Sequence, residues 1–288
     1  MANYTRDFLT TRHSDYESKF GDWNFHLLSY LGGQDYQNGY LLNRYVLETD
    51  EEYNKRQNNT PIDNHCKNVV QIYSSFLFRV PPTRNYGSLS GDEQLENFLK
   101  DADLDGRSFD NIIREMQINA SIYGTCWAIM DKPAVVTQTR AEEIQLDIRP
   151  YLSVYTPENV LNWTFDRMIN GRYQLSTLTL LENLENDVAT IRVWTKEDIS
   201  TYTVKDFNKG YSTAQPTLVD EMPNMIGEIP AIILYNQKSQ KRGIGISDLQ
   251  DVAELQKAIY NDYSEIEQLI RLSNHPSFCL LYTSDAAD

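Results

Sequence analysis

The stretch GIGISDLQDVAELQKAIYNDYSEIEQLIRL, residues 243–272, decides the fold predicted for this chain. Its apolar residues recur at spacings of three and four, which is the period of one face of an α-helix. Ser247 is a candidate N-cap and Gln250 completes a capping box, so we expect a helix about 39 Å long at ~1.5 Å per residue. Seven residues form the predicted packing stripe: Leu249, Val252, Leu255, Ile259, Tyr263, Ile266 and Ile270.

Two interpretations of this stripe are open. The helix packs its stripe on a sheet of the same chain, which periodicity alone favours, or it packs side by side with copies of itself in an oligomer. Helices of globular domains average ~11–12 residues, so the predicted length is unusual for a single core helix.

The composition is that of an ordinary soluble protein with an acidic surface. The chain has 288 residues, 41% of them hydrophobic and 23% charged, and a formal net charge of −15. We find no signal peptide and no apolar run long enough to cross a membrane. The charge argues against ordinary nucleic-acid binding, which needs Lys and Arg, but it suits a wall past which DNA slides without sticking. Cys66, Cys126 and Cys279 have no metal-ligand spacing, which favours a reducing compartment.

The order of the remaining patterns predicts an α+β protein. Helical patterns fill the first part of the chain, including a capping box at Thr49 and Glu52 and a helix over 63–78. From Glu142 to Tyr235 the sequence has β character, and residues 189–193 alternate as a strand with one buried face. We therefore predict N-terminal helices, a central and mainly antiparallel β region, and then the long helix.

One acidic loop suggests a metal site. Asp101, Asp103, Asp105 and Gly106 match the first half of a calcium-binding loop, but its twelfth position is Ile112, where a bidentate Glu is needed. We therefore predict no metal, and keep the three aspartates as candidates against the alternative of a solvated loop. No catalytic motif and no cofactor-binding motif is found, and we predict no cofactor.

Three cations precede the long helix, namely Lys238, Lys241 and Arg242. The glycines at 243 and 245 favour a flexible entry to the helix over an anion site, because the full phosphate-binding pattern is missing. The cations are alternatively placed to contact a neighbouring subunit or a DNA phosphate.

An ordered series of segments resembles the portal proteins of tailed bacteriophages. The series begins with an aromatic helix that carries Trp23 and is followed by a glycine turn. The later segments are LETDEEY at 47–53, NVVQIYSSFLFRVPP at 68–82, DADLDGRSFDNIIREMQINASIYGTCWAIMD at 101–131, YTPENVLNW at 155–163, and IPAIILYNQ followed by GISDLQDVAELQKAIYNDYSEI. No single segment is specific, but their order over residues 14–278 is.

The resemblance implies a domain plan. Residues 1–131 would be the helical part of a wing-like domain, 132–240 its β-rich part, and 241–278 the start of the stem helix region. The last ten residues, CLLYTSDAAD at 279–288, resemble a translated sequencing adapter. We expect them to be an artefact and the natural chain to be truncated near Phe278.

The resemblance also implies a function. The family forms a dodecameric ring at the capsid vertex, in the virion after assembly in the host cytoplasm. Double-stranded DNA is packaged and ejected through the ring without sequence specificity. The terminase motor, head–tail connector proteins and capsid proteins would be the partners, with no membrane and no catalytic residues. Four acids are candidates for the channel wall: Asp251, Glu254, Asp262 and Glu265.

Two other interpretations remain open. The first is a head–tail adaptor or minor capsid protein that makes no channel. The second is a hydrolase that works through unrecognised carboxylates or a calcium site at 101–110.

Overall fold

The computed structural model describes residues 4–133, 139–209 and 212–274. Its α-helices are α1 Arg6–Thr10, α2 Ser14–Glu17, α3 Phe20–Leu31, α4 Gly33–Asn38, α5 Asp50–Asn59, α6 His65–Leu77, α7 Glu93–Lys100, α8 Phe109–Tyr123, α9 Arg140–Gln145 and α10 Gln250–Asn274. Short 3₁₀ turns lie at Gly87–Leu89 and Pro157–Asn159.

The strands form antiparallel sheets. Their bounds are β1 Thr125–Asp131, β2 Tyr151–Tyr155, β3 Val160–Arg167, β4 Tyr173–Glu185, β5 Val188–Thr195, β6 Asp198–Lys205, β7 Thr217–Pro223, β8 Ala231–Tyr235, β9 Gln237–Lys238 and β10 Gly245–Ile246. One sheet has the order β2-β1-β8, a second pairs β10 with β9, and the largest is the meander β3-β4-β5-β6-β7. Together with the helices, these sheets confirm the predicted α+β class.

The chain divides into two compact units. The first holds the described residues of 1–27 and 69–250, and the second those of 28–68 and 251–288. The first unit therefore contains the sheets, and the second is built around α10.

Local sequence signals account for several helix ends. Thr49 Oγ1 accepts the N–H of Glu52 at 3.3 Å, and a Glu52 carboxylate oxygen accepts the N–H of Thr49 at 3.0 Å. This is the predicted capping box at the start of α5. At the other end of a helix, Gly124 takes the left-handed conformation, with φ +84°, that closes α8.

The five-stranded sheet buries one face of its central strands. Ala189, Ile191 and Val193 are fully buried and share a cluster with Tyr202 and Val204 of the neighbouring strand. The alternation predicted for residues 189–193 is thereby confirmed, because side chains two apart point to the same side of a sheet.

A buried tyrosine links the N-terminal segment to the sheets. Tyr16 in α2 donates its hydroxyl proton to the Gly243 carbonyl at 2.7 Å and accepts the indole N–H of Trp127 at 2.8 Å. Its ring lies 4.0 Å from that of Trp163 in β3, between centroids. The Tyr16 hydroxyl therefore provides a hydrogen-bond partner for both the buried Trp127 N–H and the buried Gly243 carbonyl.

Two segments differ from the sequence-based expectation. Ser247 does not cap α10, which begins three residues later. Its hydroxyl lies 2.8 Å and 2.7 Å from the carbonyl oxygens of Ser121 and Ile122 and so closes the end of α8. The β region was expected to begin at Glu142, but residues 142–145 lie in the helix α9, Arg140–Gln145, since Ala, Glu and Gln favour helix.

Some predictions fall outside the described residues. The proposed adapter at 279–288, with Cys279, and the predicted break near Phe278 belong to this group. Among the described helices, none is both long and apolar enough to cross a lipid bilayer.

We predict that Tyr16→Phe lowers the free energy of unfolding by about 1–3 kcal/mol, because it leaves the Trp127 N–H and the Gly243 carbonyl unpaired. Urea denaturation followed by tryptophan fluorescence measures this. The control is Tyr40→Phe, at a side chain that is 74% exposed, where we expect a change within about 0.5 kcal/mol. Equal effects of the two substitutions would contradict the assignment.

Candidate functional site

The inner face of α10 is polar rather than aliphatic. Its buried residues are Ala253, Gln256, Tyr260 and Ser264, which follow one another at spacings of three and four. Three of these four side chains, those of Gln256, Tyr260 and Ser264, carry polar groups that need hydrogen-bond partners when they are buried. The packing of this helix within its unit therefore depends on polar contacts.

Gln256 and Tyr260 make the first of these contacts. The Gln256 amide donates to the Ser29 carbonyl at 2.9 Å and accepts the backbone N–H of Cys66 at 3.0 Å. The Tyr260 hydroxyl donates to the Gln57 carbonyl at 3.3 Å, and its ring meets Tyr36 edge-on at 5.3 Å between centroids. These contacts attach α10 to residues of four helices, α3, α4, α5 and α6, in the second unit.

Arg56 of α5 is the centre of the next contacts. Its guanidinium makes two parallel hydrogen bonds to the Glu48 carboxylate, at 2.7 and 2.8 Å. It also donates to the Ser264 hydroxyl at 2.9 Å and to the Asn43 carbonyl at 2.6 Å. The side chains of Arg56 and Glu48 are only 4% and 6% exposed. The hydrogen bonds from Arg56 lower the pKa of the Glu48 carboxyl.

The loop before α5 adds three further hydrogen bonds. The Asn261 side chain accepts the backbone N–H of Asn43 at 2.7 Å and donates to the Leu41 carbonyl at 3.3 Å. The Tyr45 hydroxyl donates to the Glu265 carboxylate at 2.7 Å. The loop therefore follows α10 for one helical turn.

The outer surface of α10 carries an aliphatic stripe. Leu255, Ile266 and Ile270 are 64%, 48% and 48% exposed, and Ile259 lies half-buried between them. Of the other predicted packing residues, Val252 and Tyr263 are half-buried at the margin of this stripe. Leu249 precedes the helix and is fully buried in the first unit, so we leave it out of the outer surface.

A separate acidic stripe lies beside the aliphatic one. Asp251, Glu254, Asp262 and Glu265 are all exposed and follow one another at spacings that place them on one side of the helix. Within the described residues, the first three make no ion pair, and the fourth accepts only the Tyr45 hydrogen bond. At 100° per residue the two stripes adjoin, and the exposed Leu269 and Leu272 lie on the acidic side of the helix beyond Glu265.

The acidic loop at 101–106 uses its carboxylates internally. Asp101 binds the Arg149 guanidinium at 2.6 Å and accepts the N–H of Gly106 at 2.8 Å. Asp103 accepts the N–H groups of Asp105 and Arg107, each at 3.0 Å, and pairs with the Arg107 side chain. Burial opposes ionisation of Asp103, but these hydrogen bonds outweigh it and lower the pKa to about 2. Asp105 is exposed.

Two features bear on the enzyme alternative. Within 4–133, 139–209 and 212–274, no three His, Cys, Asp or Glu side chains are arranged to hold a metal ion. Burial raises the pKa of the Cys66 and Cys126 thiols to about 12, so both are protonated at neutral pH and are poor nucleophiles.

Sequence reasoning missed the residues that hold α10 in place. Gln256 and Ser264 were not predicted as contacts because they interrupt the apolar pattern, and no role was predicted for Arg56. One signal was available, since polar residues at 256, 260 and 264 recur with the same helical period as the apolar ones.

A comparison with protein families identifies relatives of this chain. A model of the family described as "Phage portal protein, SPP1 Gp6-like" matches residues 24–280, which is most of the chain. This confirms the portal resemblance. A search of curated proteins found no match.

We predict that Glu48→Gln lowers the free energy of unfolding by about 3 kcal/mol at neutral pH, because it leaves the Arg56 charge buried without a counter-ion. The folded-state pKa of Glu48 is lowered, so the stability due to its charge is present above the unfolded pKa and is lost as the pH falls through the folded value. Denaturation at a series of pH values should therefore show the difference between the two proteins shrinking in acid.

The control for this prediction is Asp50→Asn, which removes the carboxylate that pairs with Arg44. The Asp50 side chain is 88% exposed. An exposed pair contributes about 0–1 kcal/mol, so we expect a small effect. A Glu48→Gln deficit that stays constant down to acid pH would contradict the role of the carboxylate charge.

Proposed function

The chain belongs to the SPP1 Gp6-like family of phage portal proteins, and from that premise we propose that it is the subunit of a ring-shaped channel at one capsid vertex. The family role is structural. We propose a dodecamer through which double-stranded DNA is packaged and ejected without sequence specificity. The terminase motor, head–tail connector proteins and capsid proteins would dock on it, first in the host cytoplasm and then in the virion.

We assign parts of the chain to this assembly as proposals. Residues 1–131 and 132–240 form the helical and β-rich parts of the wing-like domain, and 241–278 begin the stem. In the stem, α10 contacts neighbouring copies and borders the channel.

One observation carries this proposal: the outer surface of α10 is divided into an aliphatic stripe and an adjacent acidic stripe. When another subunit covers exposed aliphatic surface, the free energy of association becomes more favourable by about 25 cal/mol per Å² buried. The stripe of Leu255, Ile259, Ile266 and Ile270 is continuous along the helix, as the contact between neighbouring rods requires.

The acidic stripe suits the channel wall. Carboxylates repel the phosphate backbone, so DNA moves past them without tight contact. When the aliphatic stripe of α10 packs on a neighbouring subunit, the adjoining acidic stripe stays outside that contact and is free to face the channel. We assign Asp251, Glu254, Asp262 and Glu265 to the channel on this basis.

Electron microscopy of the protein expressed from its complete reading frame tests the ring. Rings with a central channel are expected. A protein that stays monomeric at high concentration would contradict the proposal and favour the adaptor or enzyme alternative.

We predict that Leu255→Gln combined with Ile266→Gln reduces ring formation while the folded subunit is retained. Both side chains are exposed, and Gln keeps a good helix propensity, so the expected change in subunit stability is small. Sedimentation velocity measures the oligomer and circular dichroism the subunit. The matched control is Leu89→Gln, 56% exposed outside α10, which should assemble like the parent. Normal assembly of the α10 variant would exclude this stripe from the interface.

We predict that Asp251→Lys combined with Asp262→Lys leaves ring formation intact but lowers the amount of DNA packaged, since a cationic wall attracts phosphate. Packaging in an assembled particle measures this, with Glu185→Lys as a control for added positive charge at an exposed site. Unchanged packaging and DNA retention would remove these acids from the channel wall.

A further inference from the structure

A cluster of arginines lies at the end of the β3–β4 hairpin. The Arg242 guanidinium lies over the ring of Tyr173, 3.8 Å from its centroid, and 4.9 Å from that of Phe165. Stacking on aromatic rings holds the planar guanidinium while leaving its N–H edge open to an anion.

Two further arginines adjoin this platform. Arg167 lies directly opposite Tyr173 in the β3–β4 register, so the two side chains share a face of the sheet. Phe165 is two residues before Arg167 and points to the same face. Arg172 immediately precedes Tyr173 in the turn. We call Arg167, Arg172 and Arg242 the arginine cluster.

The arginine cluster lacks acidic partners. All three residues are exposed, and none forms an ion pair with an Asp or Glu of the described chain. The chain has 41 acidic and 26 basic residues, so acidic side chains outnumber the cations available to pair with them. Three adjacent arginines without an acidic partner are therefore available to an anionic surface from outside the subunit.

The hairpin tip adds apolar contact area. Ile169 is fully exposed, and Met168 and Tyr173 are 40% and 54% exposed. An apolar centre with Tyr, Met and Arg is the composition of a protein interface rather than of a phosphate-tracking groove. An acidic protein surface is the partner that fits this hairpin.

The opposite edge of the same sheet has the complementary character. β7 is the last strand of the order β3-β4-β5-β6-β7, so its outer backbone groups pair with no other strand of that sheet. Leu218 and Val219 are exposed. Asp220 and Glu221 form no ion pair within the part of the chain that the structure describes.

We propose that the arginine cluster and hairpin tip of one copy dock on β7 of the next copy. A ring joins two different surfaces of each subunit, and the end of the β3–β4 hairpin and the outer edge of β7 are such a pair. The contact matches cations with acids and exposed apolar side chains with each other. This inference rests on the ring of the proposed function and names a contact within it.

The two surfaces do not meet within one subunit. Three strands, β4 to β6, lie between β3 and β7 in the sheet order, so the proposed contact needs a second copy.

Charge exchange tests the contact, with protein expressed from the complete reading frame. Arg167→Glu with Arg172→Glu, and separately Asp220→Arg with Glu221→Arg, should each weaken ring formation on the order of 10-fold or more in protein concentration. The protein with all four substitutions should recover assembly, because the two surfaces exchange their signs. Arg242 is kept, since its stacking also supports the hairpin.

The controls separate this inference from folding and from the ring itself. Arg79→Glu with Lys67→Glu changes the net charge by the same amount as the double arginine variant. Both sites are exposed, and this control should assemble like the parent. Thermal unfolding by circular dichroism checks each subunit. A parent without rings would overturn the proposed function. Parent rings with normal assembly of both double variants, or no recovery in the fourfold variant, would overturn only the contact. The contact would also fail if the arginine substitutions lowered duplex DNA binding and left the rings unchanged.

Discussion

The second unit depends on the pairing of buried polar groups along the inner face of α10. Gln256 uses both its amide donor and its carbonyl, and Arg56 uses its guanidinium on Glu48, Ser264 and Asn43. A buried polar group left without a partner costs about 1–3 kcal/mol, so rotation of the helix by one residue would be strongly unfavourable. The polar row therefore fixes which side of α10 faces outward.

The buried polar row explains why hydrophobic periodicity predicted the helix but not which of its faces is buried. Hydrophobic spacing identified the helix and the residues of the aliphatic stripe, because those follow from sequence separation. It favoured packing of that stripe inside the chain, whereas Leu255, Ile266 and Ile270 are exposed. The inner face was not predictable, since Arg56 is 208 residues from Ser264 and only the folded chain brings them together.

Local signals succeeded where the cause was local. The Thr49–Glu52 capping box and the alternation at 189–193 depend on neighbours within a few residues. Ser247 has the chemistry of an N-cap but closes α8 instead, because carbonyl groups 126 residues away need a donor. The half-motif at 101–106 likewise resembles a calcium loop, but Asp101 and Asp103 pair with Arg149 and Arg107.

The two proposed contact surfaces belong to different compact units, one to α10 and the other to the five-stranded sheet. If both proposed contacts join the same pair of subunits, the second contact forms within an existing complex and gains a high effective concentration. Each contact can therefore be weak alone, as surface arginines and a narrow aliphatic stripe are, while the pair is strong. Weak individual contacts also let a wrongly placed subunit dissociate before a ring closes.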